Sequence, residues 1–181
     1  MAAKGGGLMT VSALQLDHKF WRFSLAVYGA PGVEPECLAL QEALGIDVNV
    51  LLFCAWLGAA RRTALTADDV ESIARVVQPW HMQAVRPLRA VRQQLKTFSG
   101  DDLQAFRSRV KVLEFEAEQL EQAMLFAHAQ QAWPRILDGD PREITSANVR
   151  IYLQSQRNTG AAHCDVSSTQ SLVSTAIKNA G

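Results

Sequence analysis

The sequence feature that most constrains the fold is a long apolar pattern that runs from about Thr66 to about Trp133. Large apolar residues recur there at steps of three and four, which places them on one face of a helix. The small and polar residues 99–101 interrupt the pattern once and suit a tight turn. The sequence therefore predicts a long antiparallel helical hairpin. Its apolar positions are Val70, Ile73, Val77, Trp80, Ala84, Leu88, Val91, Leu95 and Phe98 in the first arm, and Leu103, Phe106, Val110, Leu113, Ala117, Leu120, Met124 and Ala127 in the second.

Two prolines distinguish the first arm from the second. We expect Pro79 to begin a new helix, because the first turn of a helix needs no amide donor. Pro87 should kink the arm, since it removes a hydrogen bond and clashes with the preceding turn. Such a kink can open a gap between helices that holds a ligand.

Three shorter helices are predicted before the hairpin, from Asp17 to Gly29, from about Pro35 to Gly45, and from Asp47 to Arg62. Asp17 and Asp47 are expected amino-terminal caps and Gly29 and Gly45 carboxyl-terminal ones. Pro35 suits a first helical turn, and the cations Arg61 and Arg62 suit a helix end. No stretch alternates with the period of a strand, so the predicted fold is all-α, a bundle of about five to six helices that includes the hairpin.

The two ends of the chain contain few large apolar residues. We therefore predict a flexible N-terminus over residues 1–16, a helical domain over residues 17–133, and a polar linker, a weak helix and a mobile tail over residues 134–181. The weak helix should run from about Ser146 to Arg157. Because its only large apolar residues after Ser146 are Val149, Ile151, Tyr152 and Leu153, we expect it to dock loosely or not at all.

Charge and cysteine content narrow the class of protein. The 18 basic and 18 acidic residues balance, so the net charge does not favour nucleic acid or an anionic membrane. Cys37, Cys54 and Cys164 are odd in number and lack CxxC spacing, which argues against disulfides and structural zinc. The sequence offers no signal peptide, and its most apolar run, residues 48–60, is too short to span a bilayer. We expect a cytoplasmic protein without a transmembrane segment.

The turn end of the hairpin is rich in positive charge. Antiparallel pairing should bring Arg92 level with Arg107 and Arg89 level with residues 109–111. Like charges would then converge, which predicts a surface that binds an acidic protein segment or another anionic surface; a solvated face without a partner is the alternative. Nucleic acid fits less well, because few aromatic side chains lie there to stack on bases. These cations, here called the basic tip, are Arg86, Arg89, Arg92, Lys96, Arg107, Arg109 and Lys111.

The residue types that most often carry catalysis or bind metals form no recognisable set. The four histidines show neither HxxxH nor HExxH spacing, and no glycine-rich phosphate loop occurs. Trp80-His81 has no serine, cysteine or carboxylate at a defined spacing. Asn49 lies early in an apolar helix and should bond nearby backbone groups, with a ligand contact as the alternative. The sequence thus predicts no catalytic residue, no metal site and no cofactor.

Several short strings are shared with a known family. They are residues 20–25, the Pro31-Gly32-Val33 turn with Cys37-Leu38 and Leu40-Gln41, Asp47-Val48-Asn49 before residues 51–53, and Pro79-Trp80 with residues 87–89 and Leu95-Lys96. Together they resemble an uncharacterised family of small proteobacterial helical proteins described as a domain of unknown function. The resemblance covers about residues 18–98 well and the second arm of the hairpin more loosely. It implies a bacterial cytoplasmic protein and brings no activity, cofactor or catalytic residue.

Two functions follow as hypotheses. The first is a non-enzymatic interaction protein, an adaptor or assembly factor, that binds another protein through the basic tip. The alternative is a small-molecule binding protein or enzyme with an aromatic pocket between the first helix and the Pro79–Pro87 segment. The apolar seam of the hairpin also leaves self-association open as a third possibility. The pocket residues would be Trp21, Asn49, Trp56, Trp80 and His81, together with Arg86.

Overall fold

The computed structural model describes residues 14–132, 138–157 and 169–180, and this part of the chain is all-helical. The predicted flexible N-terminus lies almost entirely outside the described residues, as do parts of the predicted linker and tail. The described residues form eight α-helices: α1 (Lys19–Tyr28), α2 (Val33–Leu44), α3 (Val48–Ala59), α4 (Ala67–Trp80), α5 (Arg86–Gln94), α6 (Asp101–Ala132), α7 (Pro141–Arg157) and α8 (Gln170–Lys178).

Most helix limits follow capping chemistry, but α2 begins at Val33 and not at Pro35, and α3 ends at Ala59 and not at Arg62. Asp47 caps α3 by accepting from the Asn49 amide, and Thr66 forms a reciprocal capping box with Asp69 at the start of α4. At α1 the cap is His18 rather than the predicted Asp17, because the His18 ring accepts from the Trp21 amide. Asp17 instead pairs with Arg22 on the surface. The aromatic face of α1 therefore begins at a buried imidazole.

The centre of the molecule is the interface between α3 and α7. Every residue of α3 from Asn49 to Ala59 is buried, which fits its uniformly apolar sequence. At Gly58 the helices touch backbone to backbone, since a methyl group there would lie 2.6 Å from the Thr145 Cα. The prediction that α7 docks loosely is thus wrong. Tertiary contacts that sequence patterning does not reveal hold it in place.

The C-terminal residues add a further packed helix. α8 lies within the predicted mobile tail, yet it buries Leu172, Val173 and Ala176. Two backbone amides at its start, those of Ser171 and Leu172, donate to the Glu36 carboxylate at 2.8 Å. This carboxylate offsets the unpaired amides of the first turn, so α8 is anchored to α2 at its amino end.

The predicted hairpin is present between Ala67 and Ala132, but its first arm differs from the prediction at the prolines. Pro79 lies inside α4 rather than at a helix start. Residues 81–85 form a π-helical turn, and a 3₁₀ turn over residues 95–97 ends the arm. The π turn closes through the Arg86 amide and the His81 carbonyl, and it accommodates the amide that Pro87 lacks.

The buried face of α6 is rotated from the predicted seam. Val110 and Ala117 are buried as expected, whereas Leu103, Phe106 and Leu113 are 42 to 51% exposed. The positions that are buried outside the predicted seam include three polar ones, Glu114, Glu121 and Gln122, besides Ala123, Leu125 and Ala129. The seam prediction is therefore wrong for much of the second arm, because charged and hydrogen-bonded partners fix the rotation of α6.

No helix in the described ranges is both long enough and apolar enough to cross a membrane.

Candidate functional site

Three ionisable side chains from distant parts of the chain meet at the base of the hairpin. The His81 Nδ1 atom lies 3.1 Å from the Asp47 Oδ2 atom and 3.1 Å from the Glu121 Oε1 atom. Asp47 begins α3, His81 begins the π turn, and Glu121 lies in α6. The Asp47 and His81 side chains are each 13% exposed, and that of Glu121 is fully buried. Two carboxylates therefore face one imidazole at the protein surface.

Neighbouring residues fix both carboxylates. The second oxygen of Asp47 accepts from the Asn49 amide at 2.8 Å, and the second oxygen of Glu121 accepts from the Asn49 side chain at 2.5 Å. Gln122 holds that side chain by donating to its oxygen at 2.8 Å. The Tyr152 hydroxyl accepts from the Asp47 amide and donates to the Asp47 carbonyl. The Asn49 side chain thus bonds the side chains of Glu121 and Gln122, and not the nearby backbone groups that were predicted. Only its backbone amide bonds Asp47.

The cluster changes the protonation of its members. Burial disfavours the charged imidazole, but hydrogen bonds and charge from Asp47 and Glu121 outweigh it and raise the pKa of His81 to about 9. Burial and the nearby Asp47 carboxylate raise the pKa of Glu121 above its usual range. The shifts thus favour the protonated imidazole at His81 and the neutral carboxyl form at Glu121.

Sequence spacing could not identify this cluster. His81 has no carboxylate within hydrogen-bonding distance on its own helix. One of its two partners, Glu121, lies 40 residues away in the sequence. The one available signal was Asp47, whose role as a helix cap was predicted and is confirmed. Glu121 gave no signal, because an acidic residue in a charged helix reads as solvent-exposed.

A cavity of about 590 Å³ lies on the other side of Asn49. Its walls come from α1, α2 and α3 on one side and from α5, the 3₁₀ turn and α6 on the other. Trp21 and Phe115 form an aromatic wall, with ring centroids 5.2 Å apart and the rings inclined at 60°. Gln122 and Asn49 line the cavity and together also hold the carboxylates of the His81 cluster, which consists of Asp47, His81 and Glu121. This volume suits a small organic ligand.

Arginines and glutamates line the hairpin side of this cavity. Arg89 donates to Glu118 at 2.5 Å, to Glu114 at 3.1 Å and to the Gln41 side chain at 2.7 Å. Arg92 also binds Glu114 through two nitrogens. The two arginines lower the pKa of Glu114 despite its burial, whereas burial raises the pKa of Glu118. The cavity wall is therefore a rigid network of alternating charge.

The structure divides the basic tip into two groups. Arg89 and Arg92 face inward and are paired with Glu114 and Glu118, which offset their charge. Arg89 and Lys111 line the same cavity, so cations from the two arms approach one surface there. Arg107 does reach Arg92, donating to its backbone carbonyl at 3.3 Å. Lys96 and Lys111 line the cavity, while Arg86 contacts the Met82 sulfur and Arg109 stacks on Phe106.

The residues of the predicted aromatic pocket are dispersed. Trp21 and Asn49 line the cavity. Trp56 is buried in the core against Phe20 and Phe126, and its ring lies under Arg61. Trp80 donates from its indole nitrogen to the Ala117 carbonyl at 2.9 Å. The Pro79–Pro87 segment packs on α6, so the cavity lies beside the later half of that arm, not at the prolines.

Comparison with known proteins yields a family without an assigned activity. Residues 19–125, more than half of the 181-residue chain, match the family model described as "Protein of unknown function (DUF2390)". No curated protein and no solved structure matches the chain. The chain belongs to this family, and the match includes all three residues of the His81 cluster and both sides of the cavity.

Proposed function

We propose that this DUF2390 protein binds a small organic molecule with an anionic group and an aromatic or apolar body, in the cavity between α1–α3 and the α5–α6 arm. The observation that carries the proposal is the cavity of about 590 Å³ itself, which combines an aromatic wall with fixed charges. Pockets of roughly 300–1,000 Å³ with a few convergent polar groups commonly bind small molecules.

The apolar half of the cavity favours a ligand with a flat or branched body. Trp21 and Phe115 supply an edge-to-face pair, and Leu25, Leu38 and Phe115 are each 46 to 47% exposed there. Exposed apolar side chains that surround a concave surface are a usual sign of a binding site. A ligand would remove these surfaces from water.

The polar half favours an anion. Lys96 and Lys111 line the cavity and form no ion pair with any described residue. Arg89 and Arg92 are already held in place by glutamates, which gives fixed donors at little entropic cost. Deeper in, the Gln122 Oε1 atom is buried and has no hydrogen-bond partner among the described residues. A ligand donor or a water molecule would stabilise it.

Native mass spectrometry of the full chain, purified from its host without denaturation, tests the proposal. We expect an additional mass that disappears on denaturation. The aromatic anion 8-anilinonaphthalene-1-sulfonate provides a defined probe, whose fluorescence should rise on binding. The double variant Lys96→Gln with Lys111→Gln should weaken probe binding about tenfold, equivalent to about 1.4 kcal/mol.

The matched control is Lys178→Gln, which removes one positive charge from exposed α8, away from the cavity. It should bind the probe as the parent does. A clean ligand-free mass, together with equal probe binding by parent and double variant, would contradict the proposal.

We also propose that the protein is cytoplasmic. The buried thiols of Cys37 and Cys54 are free, which fits a reducing compartment. Fractionation of host cells with an antibody to the protein would test this location.

A second function, binding of an acidic protein segment by the turn end of the hairpin, is favoured by a different observation. Phe98, Leu103 and Phe106 are 42 to 53% exposed there, and Arg107 and Arg109 lie beside them. Apolar residues bordered by cations suit an acidic amphipathic helix.

Charge reversal separates this function from the cavity. Arg107→Glu with Arg109→Glu should release partners in affinity purification from the host and leave probe binding unchanged. An identical set of partners for parent and variant would rule it out. Light scattering would show whether the bound partner is instead a second copy of the chain.

A further inference from the structure

We propose that Asp47, His81 and Glu121 form a binding site for a single first-row divalent transition-metal ion. This site is distinct from the cavity and does not depend on the proposed small-molecule function. Its donor atoms, one imidazole nitrogen and two carboxylate oxygens, all lie within 4.8 Å of one another.

The separations between the donor atoms fit metal coordination. An ion with bonds of about 2.0–2.2 Å places neighbouring ligand atoms about 2.8–3.1 Å apart in octahedral and about 3.3–3.6 Å apart in tetrahedral coordination. The two separations from His81 Nδ1 to the carboxylate oxygens are both 3.1 Å. An ion could therefore enter with little movement of the side chains, and water could occupy the remaining coordination positions.

Each carboxylate has one oxygen anchored and one directed at His81. The Asn49 backbone amide holds Asp47 and the Asn49 side chain holds Glu121. Hydrogen bonds of this kind to coordinating carboxylates are a regular part of metal sites and orient the ligands. Gln122 extends the support by holding Asn49. A simple ion pair at the surface does not require these supporting hydrogen bonds.

The backbone at the site is also unusual. His81 begins the π-helical turn of residues 81–85, and π turns occur frequently at functional sites. The Tyr152 hydroxyl fixes both the amide and the carbonyl of Asp47. The bonds from Tyr152 to Asp47 are more than a helix start requires, and the π turn at His81 departs from a regular α-helix.

The chemistry of the donors restricts the ion. Carboxylate oxygens suit Mn²⁺, whereas an imidazole nitrogen favours Zn²⁺, Fe²⁺ or Ni²⁺ over Mg²⁺ and Ca²⁺. One nitrogen with two oxygens therefore favours an ion such as Mn²⁺ or Zn²⁺. Entry from solvent is available, because Asp47 and His81 are both 13% exposed.

Calorimetric titration of the chelator-treated full chain with MnCl₂, ZnCl₂ and MgCl₂ tests the inference. We expect one site per chain for Mn²⁺ or Zn²⁺ and much weaker Mg²⁺ binding. His81→Ala and Glu121→Gln should each reduce affinity by at least about 100-fold, and Asn49→Ala, which removes only a supporting group, by about tenfold.

Two variants serve as matched controls. Glu116→Gln removes an exposed carboxylate from the same helix without touching the donors, and His163→Ala with Cys164→Ala removes an imidazole and a thiol from the C-terminal part of the sequence. Both should retain the parent affinity. Circular dichroism checks that every variant is folded.

A second measurement works without any variant. Mn²⁺ added in substoichiometric amounts should broaden the imidazole NMR signals of His81 before those of His18 and His128. Failure of Mn²⁺ and Zn²⁺ to bind at millimolar concentration would overturn the inference and leave an ion pair alone. Equal binding by parent and His81→Ala, or broadening of another histidine first, would overturn it as well.

Discussion

The α3–α7 interface and the α5–α6 interface bury side chains in opposite ways. The first packs apolar residues around one buried amide, Asn148, whose three hydrogen bonds all go to backbone groups. The second buries charged groups of both signs, such as Arg89 and Glu114, that bond mainly to one another. In the first interface the close fit of Gly58 against Thr145 sets how the helices pack, whereas in the second the partners of the buried charges do. The cavity and the histidine cluster both lie on the second kind of surface.

The largest effect should come from removing the amide at the centre of the apolar interface. Asn148→Ala leaves the Leu65 amide and the carbonyls of Cys54 and Thr63 without their partner. We expect the free energy of unfolding to fall by about 3–5 kcal/mol, since each buried unsatisfied group costs about 1–3 kcal/mol. Urea denaturation followed by circular dichroism measures it. Asn179→Ala, which removes an exposed amide bonded to Thr175, should change stability by less than about 0.5 kcal/mol. Equal losses would mean that the interface does not depend on Asn148.

An intermediate effect should follow from removing one carboxylate of the charged interface. Glu114→Gln removes the carboxylate that pairs with Arg92 and leaves Arg89 with Glu118 alone, and both arginines are largely buried. We expect a loss of about 2 kcal/mol, below the roughly 3–5 kcal/mol of a fully buried pair because both arginines are partly solvated. The control is Glu71→Gln, whose pair with Arg75 is about 70% exposed and should contribute less than about 0.5 kcal/mol. A loss no greater than that of the control would show that solvent screens the network.

The smallest effect concerns pH and the imidazole at the start of α1. Burial lowers the pKa of His18 to about 4, from 6.5 in the unfolded chain. The unfolded chain therefore binds this proton first, and His18 should make the protein less stable as pH falls from 6.5 towards 4. His18→Asn retains a capping side chain but cannot titrate. The melting temperature of the parent should fall by about 3–6 °C more than that of the variant over this range, equivalent to about 1.5 kcal/mol once solvent screening halves the effect of the shift. Parallel pH profiles would contradict the buried neutral imidazole.

Sequence reasoning predicted the class of fold and those helix limits that depend on local chemistry. Gly45 ends α2, and Asp47 and Thr66 begin α3 and α4, as their capping roles require. These predictions succeed because a cap interacts with amides only two or three residues away. The family resemblance is confirmed over residues 19–125.

The parts that depend on distant partners could not be read from the sequence. Apolar patterning favoured Leu113 as a buried residue, but Glu114 is buried because it meets arginines more than 20 residues away. α7 packs closely on α3 because Gly58 has no side chain. The spacing of apolar residues does not reveal such a contact. For the same reason the cavity and the His81 cluster were only partly anticipated, through Trp21, Asn49 and His81 themselves.

The π-helical turn in the first arm has a consequence for how the two polar sites coexist. In an uninterrupted α-helix, the eight positions from His81 to Arg89 would leave the two side chains about 80° apart around the axis. The wider turn of residues 81–85 absorbs much of this difference, so that His81 and Arg89 both point at α6, the former to Glu121 and the latter to Glu114 and Glu118. The turn therefore accommodates one residue more than a regular α-helix would need between the histidine cluster and the cavity. Deletion of one residue from it would leave seven α-helical steps, about 20° from two full turns, so both sites would still face α6 and only the π-helical turn would be lost.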